Sequence, residues 1–226
     1  DWTMILVAAG AVLCMLASMH VNTTYTRYSR MAAACGLTGA DVARLILERN
    51  GVTDVQVQHV SGNLTDHYDP SRQVVNLSDA VYGSRSVAAL GVAAHECGHV
   101  MQHEEGYTPL QFRTALVPIA NFGSNVGIWI VLLSLILGLS STLTTIGIVL
   151  FSMGVLFQLV TLPVEFNASH RALVMLEQYG VLGTDENRKA RAVLKAAALT
   201  YVAAAASSIL QLLRLVLLSN RRNRND

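Results

Sequence analysis

The sequence predicts a mainly α membrane protein: four transmembrane helices and, with them, a small α+β domain built on a short β-sheet and one helix that carries a His-Glu-x-x-His pentapeptide. Three observations carry that prediction. Hydrophobic residues fill 52% of the 226 positions and charged residues only 14%, with a mean hydropathy of +0.42, whereas an ordinary soluble domain is about one quarter charged. Several stretches are long and apolar enough to cross a hydrocarbon core of about 30 Å at roughly 1.5 Å of helix per residue. Between the first and second of these the pattern changes to short amphipathic and alternating segments, which belong in water. The net charge is +1 and the basic residues are scattered. They form no stripe that could track phosphates, which excludes a nucleic-acid partner. The three cysteines, Cys14, Cys35 and Cys97, share neither disulfide-type nor metal-type spacing, which points to a reducing compartment.

Taken in order, residues 1–20 form the first span, because Trp2 to Met19 carries no charge. With no basic residue ahead of it and no small-x-small site behind, it is expected to be a retained anchor and not a signal peptide. Residues 21–115 are the water-facing region. Thr38 followed by Asp41 predicts a capped helix through Asn50, with Val42, Leu45 and Ile46 as its apolar face and Gly51 as its stop. Val55 and Val57 alternate with Gln56 and Gln58, Ser61-Gly62-Asn63 makes a turn, and Gln73 to Leu77 is extended again after Asp69-Pro70-Ser71. Such a sheet either offers an edge to an extended peptide or simply braces the helix that follows. That helix runs from Ser86 to Glu104 with Gly106 as terminator, and its apolar part, Val87 to Ala94, is too short to cross a bilayer.

Residues 116–162 hold spans two and three, Pro118 to Leu139 and Leu143 to Leu162, joined at Ser140-Ser141. Asn121 and Asn125 share a face and are expected against other helices. Residues 163–192 form a second water-facing segment, in which Pro163 is expected to open a helix reaching Tyr179. A further helix starts at Thr184, with Asp185 and Glu186 in its first turn, and residues 193–218 of it make the fourth span. Residues 219–226 are a polar tail with Arg221, Arg222 and Arg224. This arrangement puts residues 20–115 and 163–192 on one side. Arg27, Arg30, Arg113, Arg188, Lys189, Arg191 and Lys195 lie there, which by the positive-inside rule makes it the cytoplasmic side.

The chemistry is concentrated in His95-Glu96-Cys97-Gly98-His99. On a helix, residues four apart share a face, so both imidazoles can grip one metal ion while Glu96 reaches the water beside it. This is a metallopeptidase pattern, and it makes the region zincin-like. Catalytic zinc takes a third protein ligand and keeps a position open. His103 is eight residues past His95, about 12 Å along the helix, too far to share one ion with it, and is expected nearby or at the surface. Asp66, His67 and Asp69 could ligate, although Asp69-Pro70-Ser71 reads first as a turn; with Tyr68 they are better placed as substrate-side or structural residues. Glu165, next to a membrane boundary on the same side, is the best candidate, its alternative being a carboxylate that merely complements a helix dipole. Cys97 points away from both histidines and is expected to pack.

These residues carry a resemblance to the YugP-type bacterial zinc metallopeptidases, small multi-span membrane proteins. It covers Thr38 to Ala43, Asp66 to Pro70, Ala94 to His99, Ala115 to Pro118, Leu162 to Phe166 and Leu199 to Ala204, and so nearly the whole chain. The resemblance implies one Zn2+ per chain held by His95, His99 and Glu165, with Glu96 as general base, an arrangement similar to gluzincins. It implies a multi-pass protein of the bacterial cytoplasmic membrane but supplies no substrate; the place of Glu165 beside a membrane boundary is what points to protein or peptide substrates in or near the bilayer. Two positions depart from the family pattern: Cys97 stands where an apolar residue is usual and Asn167 where an aspartate is usual. An asparagine can still hydrogen-bond a ligand imidazole without supplying charge. Two other readings compete: a zinc-binding scaffold without turnover, against which the intact Glu96 argues, and a site-2-type intramembrane protease, for which the downstream Asp-Gly pair is missing. Oligomeric state and substrate identity are not written in the sequence.

Overall fold

The computed structural model describes residues 2–222. Six helices and three strands follow one another: α1 (Met4–Ser29), α2 (Gly39–Arg49), β1 (Gln56–His59), β2 (His67–Asp69), β3 (Val74–Leu77), α3 (Val87–Glu104), α4 (Thr108–Ile136), α5 (Ser141–Gln178) and α6 (Thr184–Arg222). Four of them, α1, α4, α5 and α6, are long and apolar enough to cross a membrane. The chain divides into two compact units. One is made of Met19–Tyr107 and Val164–Ala198, the other of Asp1–Ser18, Thr108–Pro163 and Leu199–Asp226.

In the first unit, α2 begins with the expected capping box: Thr38 Oγ1 accepts from Asp41 N at 3.2 Å and Asp41 Oδ2 accepts from Thr38 N at 3.0 Å. It stops at Gly51, whose φ of 71° suits a residue without Cβ. The sheet has the order β1-β3-β2, β3 being parallel to β1 and antiparallel to β2. β2 corrects the sequence expectation. No strand is expected at His67 to Asp69, yet these residues pair with Val74 to Asn76; the turn starts at Asp69 as expected, its carboxylate accepting from Ser71 N and Arg72 N. Val75 and Leu77 of the central strand join Val42, Ile46, Leu90, Ala94, Cys97, Val100 and Leu176 in one buried core. Tyr25 near the end of α1 donates to Ala80 O at 3.1 Å.

In the second unit, α4 and α5 approach so closely that a Cβ on Gly127 would stand 2.7 Å from Gly147 O and 2.6 Å from Phe151 N. The buried hydroxyls of Ser134 and Thr144, 2.7 Å apart, tie the same pair together. Asn121 and Asn125 are exposed, which differs from the expectation that they lie against other helices: the Asn125 amide donates instead to Asn121 O of its own helix at 3.0 Å. A second difference is at Pro163, which opens no helix. It lies inside α5, as Pro118 lies inside α4, and helix interiors in membrane proteins accommodate the one missing N–H. α6 starts at Thr184 as expected and continues through Arg222, so the start of the polar tail is helical; Arg224 lies outside the described residues.

Candidate metal centre

The site is assembled where α3 meets the second half of α5. Ser86 caps α3, its Oγ accepting from Ala89 N at 3.2 Å, and the regular helix that follows stacks His95 and His99 with ring centroids 4.7 Å apart at 85°. Gly98, between them, is what lets the partner in. A Cβ there would stand 2.5 Å from Ala168 O, closer than any side chain tolerates. With that obstacle absent, α5 lies against the motif and presents Glu165, three residues before Ala168, to both imidazoles.

Glu165 Oε2 is 3.3 Å from His95 Nε2 and 3.5 Å from His99 Nε2. The three ligand atoms lie within 4.8 Å of one another. Glu165 is 3% exposed, and its Oε2 has no proper hydrogen-bond partner among the described residues. An orphaned buried carboxylate oxygen is costly unless something else satisfies it. Tetrahedral ligands about 2.05 Å from a zinc ion stand about 3.3 Å from each other, close to the spacing of Glu165 Oε2 from each imidazole nitrogen; the chemistry and convergence of the three side chains fit the ion. The alternative of a carboxylate serving a helix dipole loses its footing, because Glu165 is far from either end of Ser141–Gln178 and the dipole acts only over the terminal turns.

The outer nitrogens of the imidazoles are also occupied. His95 Nδ1 meets Ser169 Oγ at 3.1 Å, and His99 Nδ1 meets Gln102 Oε1 at 3.0 Å. Gln102 is fully buried, and its Nε2 donates to Val164 O at 2.8 Å and to Asn167 Oδ1 at 3.0 Å. Asn167 Oδ1 also accepts from Arg171 Nε at 2.7 Å, and Arg171 pairs with Glu105 at 2.8 Å. Asn167 thus touches no ligand imidazole, contrary to the role weighed for it; Gln102 stands between. Sequence reasoning passed over Gln102 and Ser169. The signal was helical spacing, since Gln102 is three residues after His99 and Ser169 four after Glu165.

Burial opposes protonation of His99, but the Glu165 carboxylate 3.5 Å away, together with the charge of Glu96, outweighs that and raises its pKa. Two carboxylates around two imidazoles make a pocket that favours a cation. Glu96 is 7% exposed and close enough to act on His99 electrostatically, without belonging to the converging trio. Cys97 faces α2, its Sγ 3.7 Å from Ala43 O, and burial pushes its thiol pKa up, so it packs as expected and supplies no thiolate.

The other candidates lie elsewhere. His67 pairs across from Asn76, and its ring nitrogens are taken by Thr65 O at 2.9 Å and Asn76 Nδ2 at 3.1 Å. Alternation along β2 turns Tyr68 to the opposite face, against the core. There its edge meets His103, the centroids 6.0 Å apart, and burial raises its phenol pKa to about 12. Asp66 accepts from Ser78 N and Oγ, and Asp69 closes its turn. His103 is half-exposed beside Glu104.

Four candidate membrane helices, a small three-stranded sheet and an imidazole-imidazole-carboxylate trio define a membrane protein with a zincin-like domain. Comparison with known proteins narrows that class. Residues 3–220 match the family described as "Putative neutral zinc metallopeptidase", and the chain belongs to it. The chain is also 47% identical over 221 residues to the "Putative membrane protease YugP" of Bacillus subtilis (strain 168), covering 97% of this chain and 98% of that protein. No solved structure matches.

Proposed function

We propose that the chain is a membrane-bound zinc endopeptidase that hydrolyses peptide bonds of membrane or membrane-proximal proteins. The convergence of His95 Nε2, His99 Nε2 and Glu165 Oε2, with the buried Glu96 one residue away, is the observation that carries this reading. His95, His99 and Glu165 hold one Zn2+, which when bound supplies Lewis-acid activation of water and of the scissile carbonyl. Glu96 takes the proton of the attacking water on its carboxylate and passes it to the leaving amine nitrogen. The open edge of β2, the outermost strand beside β3, offers an extended substrate a row of backbone hydrogen bonds.

A membrane-associated substrate is favoured by sequence position: Glu165 sits two residues past Pro163 on a helix whose earlier part is a candidate span. The site-2-type reading finds no support, because α3 is not among the candidate spans. A scaffold without turnover would have no use for a buried carboxylate beside the trio. The basic residues flanking the spans favour a site facing the cytoplasm.

Purified in detergent, the chain should contain one zinc and cleave an unfolded membrane-protein substrate; Glu96→Gln should keep the zinc and lose about 10²–10⁴-fold in rate. Full activity of that variant would end the proposed mechanism. The same variant, crosslinked in native membranes, is the means of trapping the substrate.

A further inference from the structure

The donor and acceptor chemistry around Gln102 can be read without ambiguity, and it leads to the metal site. A backbone carbonyl only accepts, so the atom of Gln102 facing Val164 O at 2.8 Å must be the amide nitrogen. Its other partner, Asn167 Oδ1, is fixed as an acceptor by the Arg171 Nε–H at 2.7 Å. Both neighbours thus require the same amide orientation, and Oε1 is left facing His99 Nδ1 at 3.0 Å. That oxygen only accepts. His99 must therefore carry its proton on Nδ1, which leaves the lone pair of Nε2 directed at Glu165 Oε2 and the position of an ion.

Resting on the metal-site reading above, we infer that Gln102 is a positioning residue for the metal centre: it sets the tautomer and ring orientation of His99 and ties that ring to the backbone one residue before the third ligand. The same side chain reaches one ligand through its oxygen and the chain beside another through its nitrogen. The two helices that contribute ligands are thereby held at one spacing by a single amide. Gln102 has no exposed surface, and a buried amide with both ends satisfied is costly to replace by anything that satisfies only one. Asn167 and Arg171 act one step further out, keeping the amide from turning over. The neutral Asn167 serves this purpose as well as an aspartate would, because only its accepting oxygen is used, and the charge of Arg171 is met by Glu105 instead.

The test uses the full chain in detergent, loaded with Co2+ as a spectroscopic probe and titrated against a chelator for Zn2+ affinity. Gln102→Leu should weaken Zn2+ binding about 10- to 100-fold and shift the visible Co2+ bands. A purely structural loss would instead scale the amplitude with the folded fraction and leave the band positions unchanged. Gln102→Glu keeps an acceptor for His99 Nδ1–H but loses the donor to Val164 O and Asn167 Oδ1, so it should weaken Zn2+ binding while keeping the Co2+ band positions of the unaltered chain. If Gln102→Leu does not fold, Gln102→Glu decides alone. Unchanged affinity and spectrum in Gln102→Leu, or Co2+ bands displaced from those of the unaltered chain in Gln102→Glu, overturns the inference. An unaltered chain that binds metal but cleaves nothing defeats the peptidase reading only, and one that takes up no metal defeats both.

Discussion

The two units of this molecule are packed by opposite rules. In the one holding the candidate metal centre, large side chains such as Ile46, Leu77, Leu90, Val100 and Leu176 are fully buried around the sheet and α3. In the other, the buried positions of α4 include Ala120, Gly123, Gly127 and Ser134, while Phe122, Trp129 and Ile136 point outward at 60%, 64% and 77% exposure. Water rewards the burial of bulk, so the first unit hides it. Hydrocarbon gives no such reward, so the second gains from close backbone approach between small residues and leaves its bulk to the lipid. At the candidate metal centre the first unit borrows the rule of the second: Gly98 lies against Ala168 in the way that Gly127 lies against Gly147, and Gly39 lies as closely against Val81.

This comparison can be broken at several points. Gly98→Ala should have the largest effect on the site, because the new methyl group must push the α5 backbone and Glu165 away from both imidazoles; a loss of about 10- to 100-fold in Zn2+ affinity is expected by chelator competition. Unchanged affinity would show that close approach is not what assembles the site. Leu90→Ala, in the water-type core, should cost about 2–5 kcal/mol of stability in denaturant unfolding. Gly127→Leu should overpack the α4–α5 crossing by about 1–3 kcal/mol, read as a lower melting temperature in detergent. Ile136→Ala removes a comparable apolar bulk from an outward position and should change stability by less than about 0.5 kcal/mol. Equal losses from Leu90→Ala and Ile136→Ala would erase the distinction between the two units.

Much of this was legible in the residues because it is written locally. The Thr38–Asp41 cap, the motif helix, the four apolar stretches and the start of α6 at Thr184 are all signalled within a few positions. β2 was hidden because three residues are too few for alternation to show, and Asp69-Pro70 signals a turn that begins where the strand ends. Pro163 suggested a new helix by a rule learned in water, while α5 runs through it. The ligand trio could be nominated from His95, His99 and Glu165, but its assembly depends on a contact between residues 98 and 168 that no local pattern reports. Gln102 and Ser169 were visible only as spacings, which acquire meaning once two helices are known to cross there.

Gly98 also changes how the pentapeptide should be searched for and transplanted. Written as a pattern, its third and fourth positions are wildcards, yet here Cys97 seats the helix on α2 and Gly98 admits α5. A graft that copied only the two histidines and the glutamate onto another scaffold would carry the proposed ligands and base and leave behind the docking instructions. A useful query for distant relatives would pair a small residue one step before the second histidine with a small residue three steps after the remote glutamate.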